Sequence, residues 1–306
     1  MRVTILVLIG LLACAGVATA SYGYYKMNRT ISKMQKTSAM TKKVDKITAS
    51  KSPVSYLLLG TDTGDLGRDY KGRTDTMMII TINPDKKTTT MTSVARDTLV
   101  TVNGQQMKIN AAYAYGNADS AMEAVENLLN VKINGGYVLA NMGGLIKMVD
   151  AVGGVDVVSP LTFTTEGDDT QADSKSQYSF FKGQTYHMDG SEALAFSRMR
   201  HEDPDGDYGR QRRQQLIIQA VLKHSASVGT LFNDTLLNTL SNNIQTDVST
   251  SSMKNLALNY RDAFGNVKQD QLHGTTQDMG DLGSVEVMSQ SEINRVHNAI
   301  TDEMSK

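Results

Sequence analysis

One segment of this chain combines arginines and a carboxylate in an order that suits the binding of a small anion. Arg198 and Arg200 are two residues apart, so a strand-like backbone would place both side chains on one face. Asp207, Arg210 and Gln214 follow i, i+3, i+7 spacing, which puts them on one side of a helix. Guanidinium groups bind phosphate oxygens through paired hydrogen bonds and keep their charge. We predict a phosphate-binding cluster, for which a solvated basic helix is the alternative.

A second group of charged residues lies at the ends of three apolar, strand-like runs. The runs are residues 54–60, 77–82 and 88–94. Asp62 follows the first run, Arg73 and Asp75 precede the second, and Arg96 and Asp97 follow the third. Two aspartates with an arginine between them suit a Mg²⁺ ion on phosphate oxygens, because this ion usually takes one or two carboxylates. A turn or helix-capping role is the alternative for each aspartate taken alone.

These segments together resemble the LytR-CpsA-Psr family, the envelope phosphotransferases of Gram-positive bacteria. The matching segments occur in order along most of residues 54–215 and are 58–62 (LLGTD), 72–76 (GRTDT), 93–98 (SVARDT), 108–113 (KINAAY), 188–190 (MDG), 198–200 (RMR) and Gln214. Two positions depart from the family pattern. Ala95 stands where proline is usual, and Met188 replaces the usual leucine with a side chain of similar volume.

The resemblance implies a substrate and a role for each matching residue. Family members bind a polyprenyl-linked glycopolymer through its pyrophosphate, with the lipid tail in an apolar tunnel. Asp62 and Asp75 match the metal-associated aspartates, for Mg²⁺ or for Mn²⁺ in its place. The positions that match the pyrophosphate pocket are Arg73, Arg96, Arg198, Arg200, Asp207, Arg210 and Gln214. Candidates for the tunnel are Met142, Leu145, Ile146, Met148 and Val149, for which a plain core role is the alternative.

The implied reaction moves a sugar-phosphate polymer (teichoic acid, capsule or another wall polysaccharide) from the lipid pyrophosphate to a hydroxyl of peptidoglycan. A phosphodiester forms and polyprenyl phosphate leaves. Phosphoryl transfer depends mostly on positioning and charge neutralisation, which fits the residue types. Asp75, Arg73 and Arg96 are the predicted catalytic set. Asp75 is the candidate general base, with a purely metal-binding role as the alternative.

Three other functions compete with transfer. A polyprenyl-phosphate-binding protein, or one that only hydrolyses the pyrophosphate, would use the same arginines and aspartates. A membrane-bound transcriptional attenuator is disfavoured, because the net charge is −1 and no DNA-recognition motif stands out. A nucleotide-dependent kinase is disfavoured because the chain has no Gly-x-x-x-x-Gly-Lys-Ser/Thr loop. We expect the membrane, the lipid-linked glycopolymer and peptidoglycan as partners, and no nucleic acid.

Cysteine and histidine usage excludes further kinds of site. The single cysteine, Cys14, lies in the N-terminal apolar stretch, so the folded body has no intramolecular disulfide and no cysteine-based metal site. The five histidines are scattered, without the spacing of metal ligands.

The N-terminal residues predict a membrane anchor. Residues 3–20 carry no charge and are about as long as a bilayer span of roughly 20 residues requires. Cleavage after Ala20 and lipid attachment at Cys14 are the alternatives. The family is membrane-anchored with its domain outside the cell, and we expect the same here. The basic residues after the span, among them Lys26 and Arg29, would by charge alone favour the opposite orientation.

The chain is predicted to comprise an anchor at residues 1–22, a polar stalk at 23–52 and one extracellular domain at 53–306, with its motifs within about 54–225. Alternating strand and helix signals predict an α/β fold, an αβα sandwich with a mixed central sheet flanked by helices. Further predicted helices are 110–116, 121–129 capped by Asp119 or Ser120, 140–149, 190–196 and 208–224. Further predicted strands are 131–137 and 155–158, and residues 164–179 are a predicted mobile surface loop.

Overall fold

The structure is a computed structural model that describes residues 46–61, 72–165, 177–228 and 243–306. The predicted anchor, most of the predicted stalk, Asp62 and most of the predicted loop at 164–179 lie outside these residues. Within the described part of the chain, no helix is both long enough and apolar enough to cross a membrane.

A six-stranded mixed sheet forms the centre of the domain. Its strands, in spatial order, are β11 (Ile244–Thr246), β6 (Tyr137–Asn141), β1 (Val54–Thr61), β2 (Thr74–Asn83), β3 (Thr88–Ser93) and β12 (Val267–Gln271). The pairs β1–β6 and β3–β12 are parallel, and the other three pairs are antiparallel. The predicted α/β fold with a mixed central sheet is therefore confirmed.

Helices cover both faces of this sheet. They are α1 (Ala111–Tyr115), α2 (Ala118–Leu129), α3 (Met142–Ala151), α4 (Gly190–Arg198), α5 (Gly206–Val228), α6 (Thr250–Asn259) and α7 (Gln290–Met304). Because side chains alternate along a strand, Leu57 and Leu59 of β1 face one core, which α2 and α7 complete. Tyr56 faces the opposite core, where Tyr260 and Leu222 of α5 pack.

Short hairpins and strand pairs complete the domain at its margins. They are formed by β4 (Leu99–Val102) with β5 (Gln105–Lys108), β7 (Val155–Val158) with β10 (Thr185–Met188), β8 (Phe163–Thr164) with β9 (Ser179–Phe180), and β13 (Gly274–Asp278) with β14 (Ser284–Met288). A third apolar core joins α3, α4 and α5 through Val149, Phe196 and Ile217. This core fixes α4 and α5, which carry Arg198 and Arg210 of the predicted arginine cluster.

The predicted element boundaries need three corrections. The strand predicted at 131–137 is wrong, since β6 begins only at Tyr137 and continues to Asn141. The helix predicted from Ala121 begins at Ala118, because the side chain of Asn117 accepts a hydrogen bond from the Ser120 backbone amide and caps it. The strand-like backbone predicted around Arg198 is also wrong, because this residue ends helix α4.

Candidate active site

A cavity of about 400 Å³ opens between the central sheet and helices α3, α4 and α5. We call the charged part of its lining the mouth and the apolar part the interior. The predicted site residues that line the mouth are Asp75, Arg96, Arg198, Arg200, Arg210 and Gln214. Six of the seven predicted pyrophosphate-binding residues lie close together here once Asp207, which contacts two of these arginines, is included.

Four different parts of the fold bring the arginines to this mouth. Arg96 lies in the turn after β3, Arg198 ends helix α4, Arg200 follows it by two residues, and Arg210 lies in the second turn of α5. Because β2 runs antiparallel to both β1 and β3, its first residues lie beside the ends of those two strands. Asp75, the second residue of β2, therefore lies beside the turn that carries Arg96.

Ion pairs connect two of the arginines to two carboxylates. Arg96 donates from Nη1 to Asp75 Oδ1 at 2.8 Å, and its Nε lies 3.8 Å from Asp207 Oδ1. Arg210 Nη2 lies 2.6 Å from the same oxygen of Asp207 and donates to the Asp75 carbonyl oxygen at 3.2 Å. Asp207 thus bridges the two guanidinium groups and holds them side by side.

The other two arginines keep an uncompensated charge. Among the described residues, no carboxylate lies within salt-bridge distance of Arg198 or Arg200. Arg198 Nη1 contacts Met142 Sδ at 3.2 Å, a weak acceptor. Among the described residues, four guanidinium groups against two carboxylates leave the mouth positively charged, which suits a ligand with two phosphate groups.

Burial and charge shift the pKa values of two arginines at the mouth and of Asp97, which follows Arg96 in the chain. Burial lowers the pKa of Arg210, and the positive charges of Arg96 and Arg200 lower it further, against the opposing effect of Asp207. Burial also acts to lower the pKa of Arg96, but the hydrogen bond and charge of Asp75 outweigh it, so this pKa is raised. Burial and the negative charge of Asp207 raise the pKa of Asp97. An anion bound between the arginines would relieve their mutual repulsion.

The residues present suit a divalent cation only in part. Asp75 has one oxygen bound to Arg96, while its other oxygen has no protein partner among the described residues, and the side chain is 37% exposed. It can therefore offer one carboxylate oxygen to a cation at the mouth, as Mg²⁺ sites require. Within the described part of the chain, no three acidic, histidine or cysteine side chains form a metal cluster. The second predicted ligand, Asp62, lies outside the described residues.

The interior of the cavity is lined by aliphatic and methionine side chains. They are Leu58, Met142, Leu145, Met148, Leu194, Ile217 and Ile218. Three of the five predicted tunnel residues, Met142, Leu145 and Met148, thus line the cavity. Val149 instead is fully buried in the third core, and Ile146 is not among the lining residues. An apolar pocket behind a cationic mouth matches the two ends of a lipid phosphate.

Among the predicted site residues that the structure describes, Arg73 alone lies apart from the cavity. Its side chain is exposed and lines a different groove, together with residues of the β4–β5 hairpin. Only its backbone touches the site region, through its carbonyl oxygen, which accepts a hydrogen bond from Thr61 Oγ1 at 3.2 Å. Arg73 directly precedes β2, and it is not among the residues that line the cavity.

Gln214 carries an unsatisfied polar atom at the cavity. Its Oε1 is buried and has no hydrogen-bond partner among the described residues. A buried polar atom left unpaired costs about 1–3 kcal/mol, so a ligand hydroxyl that donates to it would recover that energy. This supports the predicted role of Gln214 in ligand binding.

A buried arginine outside the predicted set fixes the segment that carries Arg200. Arg213 is fully buried in α5 and donates to the carbonyl oxygens of Phe196, at 3.0 Å, and of Met199. It also pairs with Asp203 and lies 5.3 Å from the centre of the Phe163 ring. These contacts hold the connection from α4 to α5 in one conformation.

Sequence reasoning missed several lining residues. His201 lies at the mouth beside Arg200, and Leu58, Leu194, Ile217 and Ile218 line the interior. The helical spacing of Arg210, Gln214 and Ile217 was a usable signal for Ile217, since all three lie on one side of α5.

The chain is similar to several known proteins. The model of the LytR_cpsA_psr family matches residues 21–302. The chain is 42% identical, over 98% of its length and 95% of the relative, to the polyisoprenyl-teichoic acid–peptidoglycan teichoic acid transferase TagU of Enterococcus faecalis. The crystal structure of B. subtilis TagU superposes with a TM-score of 0.65 at 31% identity, covering 84% of this chain and 98% of that one.

A solved structure described as TagT bound to LI-WTA is also similar. It has a TM-score of 0.67 at 25% identity and covers 83% of this chain and 91% of that one.

Proposed function

Because the chain belongs to the LytR-CpsA-Psr family, we propose that it transfers a glycopolymer from a polyprenyl-pyrophosphate carrier to peptidoglycan. The E. faecalis relative is named for transfer of teichoic acid, and this polymer is our proposed cargo. The product is a phosphodiester between polymer and wall.

The main support for the proposal is that four arginines and many apolar side chains line the same cavity. The mouth holds Arg96, Arg198, Arg200 and Arg210, and the cavity behind it is lined by aliphatic and methionine side chains. A polyprenyl pyrophosphate needs both parts, since its phosphates require cations and its tail requires burial from water. The polymer would then extend from the mouth towards solvent.

In the proposed step, an acceptor hydroxyl oxygen attacks the phosphorus that carries the sugar. The new phosphorus–oxygen bond forms as the bond to the bridging oxygen of the pyrophosphate breaks, and polyprenyl phosphate leaves with the electron pair. The hydroxyl proton passes to Asp75, the carboxylate at the mouth, and from there to solvent. Arg96, Arg198, Arg200 and Arg210 offset the charge that grows on the leaving phosphate.

The proposed metal ligands are Asp75 and Asp62. When bound there, Mg²⁺ (or Mn²⁺) would neutralise charge on the phosphate oxygens. Asp75 remains half-exposed beside Arg96, so its second oxygen is free to act towards a cation or a hydroxyl. Asp75 can bind the cation through one oxygen and accept the hydroxyl proton on the other in the same step. The two roles exclude each other only if the same oxygen serves both.

We further propose that residues 1–22 anchor the protein in the membrane with the domain outside the cell. The uncharged stretch at residues 3–20 supports this, as does the lipid carrier, which lies in the same membrane.

The test is product analysis with the full chain, a polyprenyl-pyrophosphate-linked saccharide and peptidoglycan oligomers. A transferase attaches the saccharide phosphate to the oligomer, whereas a pyrophosphate hydrolase releases free saccharide phosphate. Loss of donor without any attached product would favour hydrolysis and overturn the proposal.

A further inference from the structure

A second groove, of about 610 Å³, lies beside the catalytic cavity. Its walls come from the β4–β5 hairpin, from helix α1 and from the turn around Asp281. This volume is in the range of about 300–1,000 Å³ that is usual for small-ligand sites. None of the residues that line it lines the catalytic cavity, so the groove is a separate feature of the surface.

The groove and the cavity are joined by two short connections in the backbone. Arg73 lines the groove and Asp75 lines the cavity, and two extended residues span at most about 7 Å. The backbone amide of Asn110 donates to the carbonyl oxygen of Arg96 at 3.1 Å, while Ala111, the next residue, and Lys108, two residues before it, line the groove. A ligand in the groove therefore lies next to the residues proposed to handle the phosphate.

The lining of the groove has the chemistry of a carbohydrate site. Tyr115 is 82% exposed, an unusual state for a large aromatic side chain. An aromatic face carries partial negative charge and attracts the polarised C–H groups of a pyranose ring. Asn103, Gln105 and Gln106 offer amide donors and acceptors to sugar hydroxyl and N-acetyl groups.

The charges that line the groove favour the peptidoglycan acceptor as its ligand over the polymer carried by the lipid donor. Arg73 and Lys108 face one carboxylate, Asp281, which leaves a small excess of positive charge. A glycan with N-acetyl groups and a few carboxylates, such as a peptidoglycan strand, suits a mostly neutral lining with two cations. A teichoic acid carries one phosphate in each repeat and would need more cations along its path.

We infer that this groove is the acceptor subsite, which binds an N-acetylated, carboxylate-bearing glycan strand with Tyr115 stacked on a sugar ring. The inference rests on the proposed transferase function. It also gives Arg73 a role different from pyrophosphate binding, since its side chain faces the acceptor groove and not the cavity.

The test compares full-length Tyr115→Ala, Tyr115→Phe and Phe181→Ala with the wild-type protein. Phe181 is a second exposed aromatic residue, at 51%, and lines neither cavity. The probe is an uncrosslinked peptidoglycan glycan strand that has been purified free of metal ions. Initial transfer rates are measured in two series, one in which the strand concentration is varied and one in which the lipid donor concentration is varied.

We expect Tyr115→Ala to raise the acceptor KM about fivefold to tenfold, the worth of one aromatic contact, and to leave the donor KM within about twofold. Tyr115→Phe, which keeps the ring face, and Phe181→Ala should match wild type. Lys108→Gln should raise the acceptor KM selectively for strands that carry carboxylates. If the wild-type protein is active and Tyr115→Ala leaves the acceptor KM unchanged, the inference is wrong. It is also wrong if Tyr115→Ala raises the KM values for acceptor and donor equally. If wild type transfers nothing to the strand, the proposed function fails first.

Discussion

Arg96 donates a hydrogen bond from Nη1 to Oδ1 of Asp75 at 2.8 Å, and both side chains are partly exposed at the cavity mouth. This pairing places the candidate base beside a guanidinium group that would also contact the phosphates. Arg96 and Arg210 share their charge with Asp75 and Asp207, whereas Arg198 and Arg200 have no carboxylate partner in the described part of the chain. The charge available to a ligand therefore comes mainly from the α4–α5 connection.

Replacing Arg200 with lysine should impair transfer although the charge is kept. Lysine cannot form the paired hydrogen bonds of a guanidinium group, and a hydrogen bond to a charged group is worth about 1.5–3 kcal/mol. We expect kcat/KM for the lipid donor to fall roughly tenfold to a hundredfold, measured from initial transfer rates. Arg212→Lys is the matched control, because Arg212 lies in α5 and pairs with Asp205 at the exposed surface. Equal rates for both variants would refute a role of Arg200 in phosphate binding.

Replacing Arg213 with methionine should destabilise the domain. The change removes the partner of Asp203, whose side chain is only 7% exposed, and leaves the carbonyl oxygen of Phe196 without its donor. Breaking a buried ion pair from one side costs about 3–5 kcal/mol. Urea unfolding should show this loss for Arg213→Met, while Arg212→Met should change the free energy of unfolding by only about 0.5 kcal/mol. If Arg213→Met also changed the free energy of unfolding by only about 0.5 kcal/mol, Arg213 would not hold the connection between α4 and α5 as described.

Replacing Asp97 with asparagine should change how stability depends on pH. The stability of the variant relative to wild type should be greater at neutral pH than at acidic pH. Burial and the charge of Asp207 raise the pKa of Asp97 in the folded protein, so the native state binds this proton more tightly than the unfolded state. The free energy of unfolding of wild type therefore falls as pH rises from the ordinary value of 3.8 through the raised pKa. The variant lacks this fall. Unfolding measured across that pH window should show its relative stability growing with pH, and a constant difference would contradict the assignment.

Filling the apolar cavity should select against long lipid carriers. Leu145 of α3 lines the interior, and a tryptophan there would occupy space that the polyprenyl tail needs. For Leu145→Trp we expect a donor KM at least about fivefold higher with a long polyprenyl chain than with a short one, given an overpacking cost of about 1–3 kcal/mol. Leu258→Trp, at a leucine that is 68% exposed on α6, is the control. An equal effect on both donors would place the tail elsewhere.

The sequence was sufficient to predict a mixed central sheet, three of its six strands and most of the charged mouth. Strand patterns placed Asp75 and Arg96 at neighbouring strand ends, and helical spacing placed Arg210 and Gln214 on one side of α5. The direction of Arg73 was not predictable, because it lies just before β2, where no strand alternation fixes the side chain. Arg198 and Arg200 converge from a helix end and the turn after it, so the reason given for their proximity was wrong although both line the cavity.

Contacts distant in the chain could not be predicted from local patterns. Arg213 has the same residue type as its neighbours in a basic run, and only the packing of α4 against α5 shows that it is the buried one. The groove beside Tyr115 likewise depends on the turn around Asp281, which is more than 150 residues away in the chain. Such sites require the tertiary structure.

Transfer of the saccharide is tested most directly by mass spectrometry. The full chain is mixed with a polyprenyl-pyrophosphate-linked saccharide and peptidoglycan oligomers, and the saccharide is followed. Asp75→Ala is compared with Asp156→Ala, a control at an exposed carboxylate that pairs with His187 away from the cavity. We expect a phosphodiester adduct with wild type and with Asp156→Ala, and a rate lowered about a hundredfold or more with Asp75→Ala. An adduct formed by Asp75→Ala at near wild-type rate would contradict this expectation.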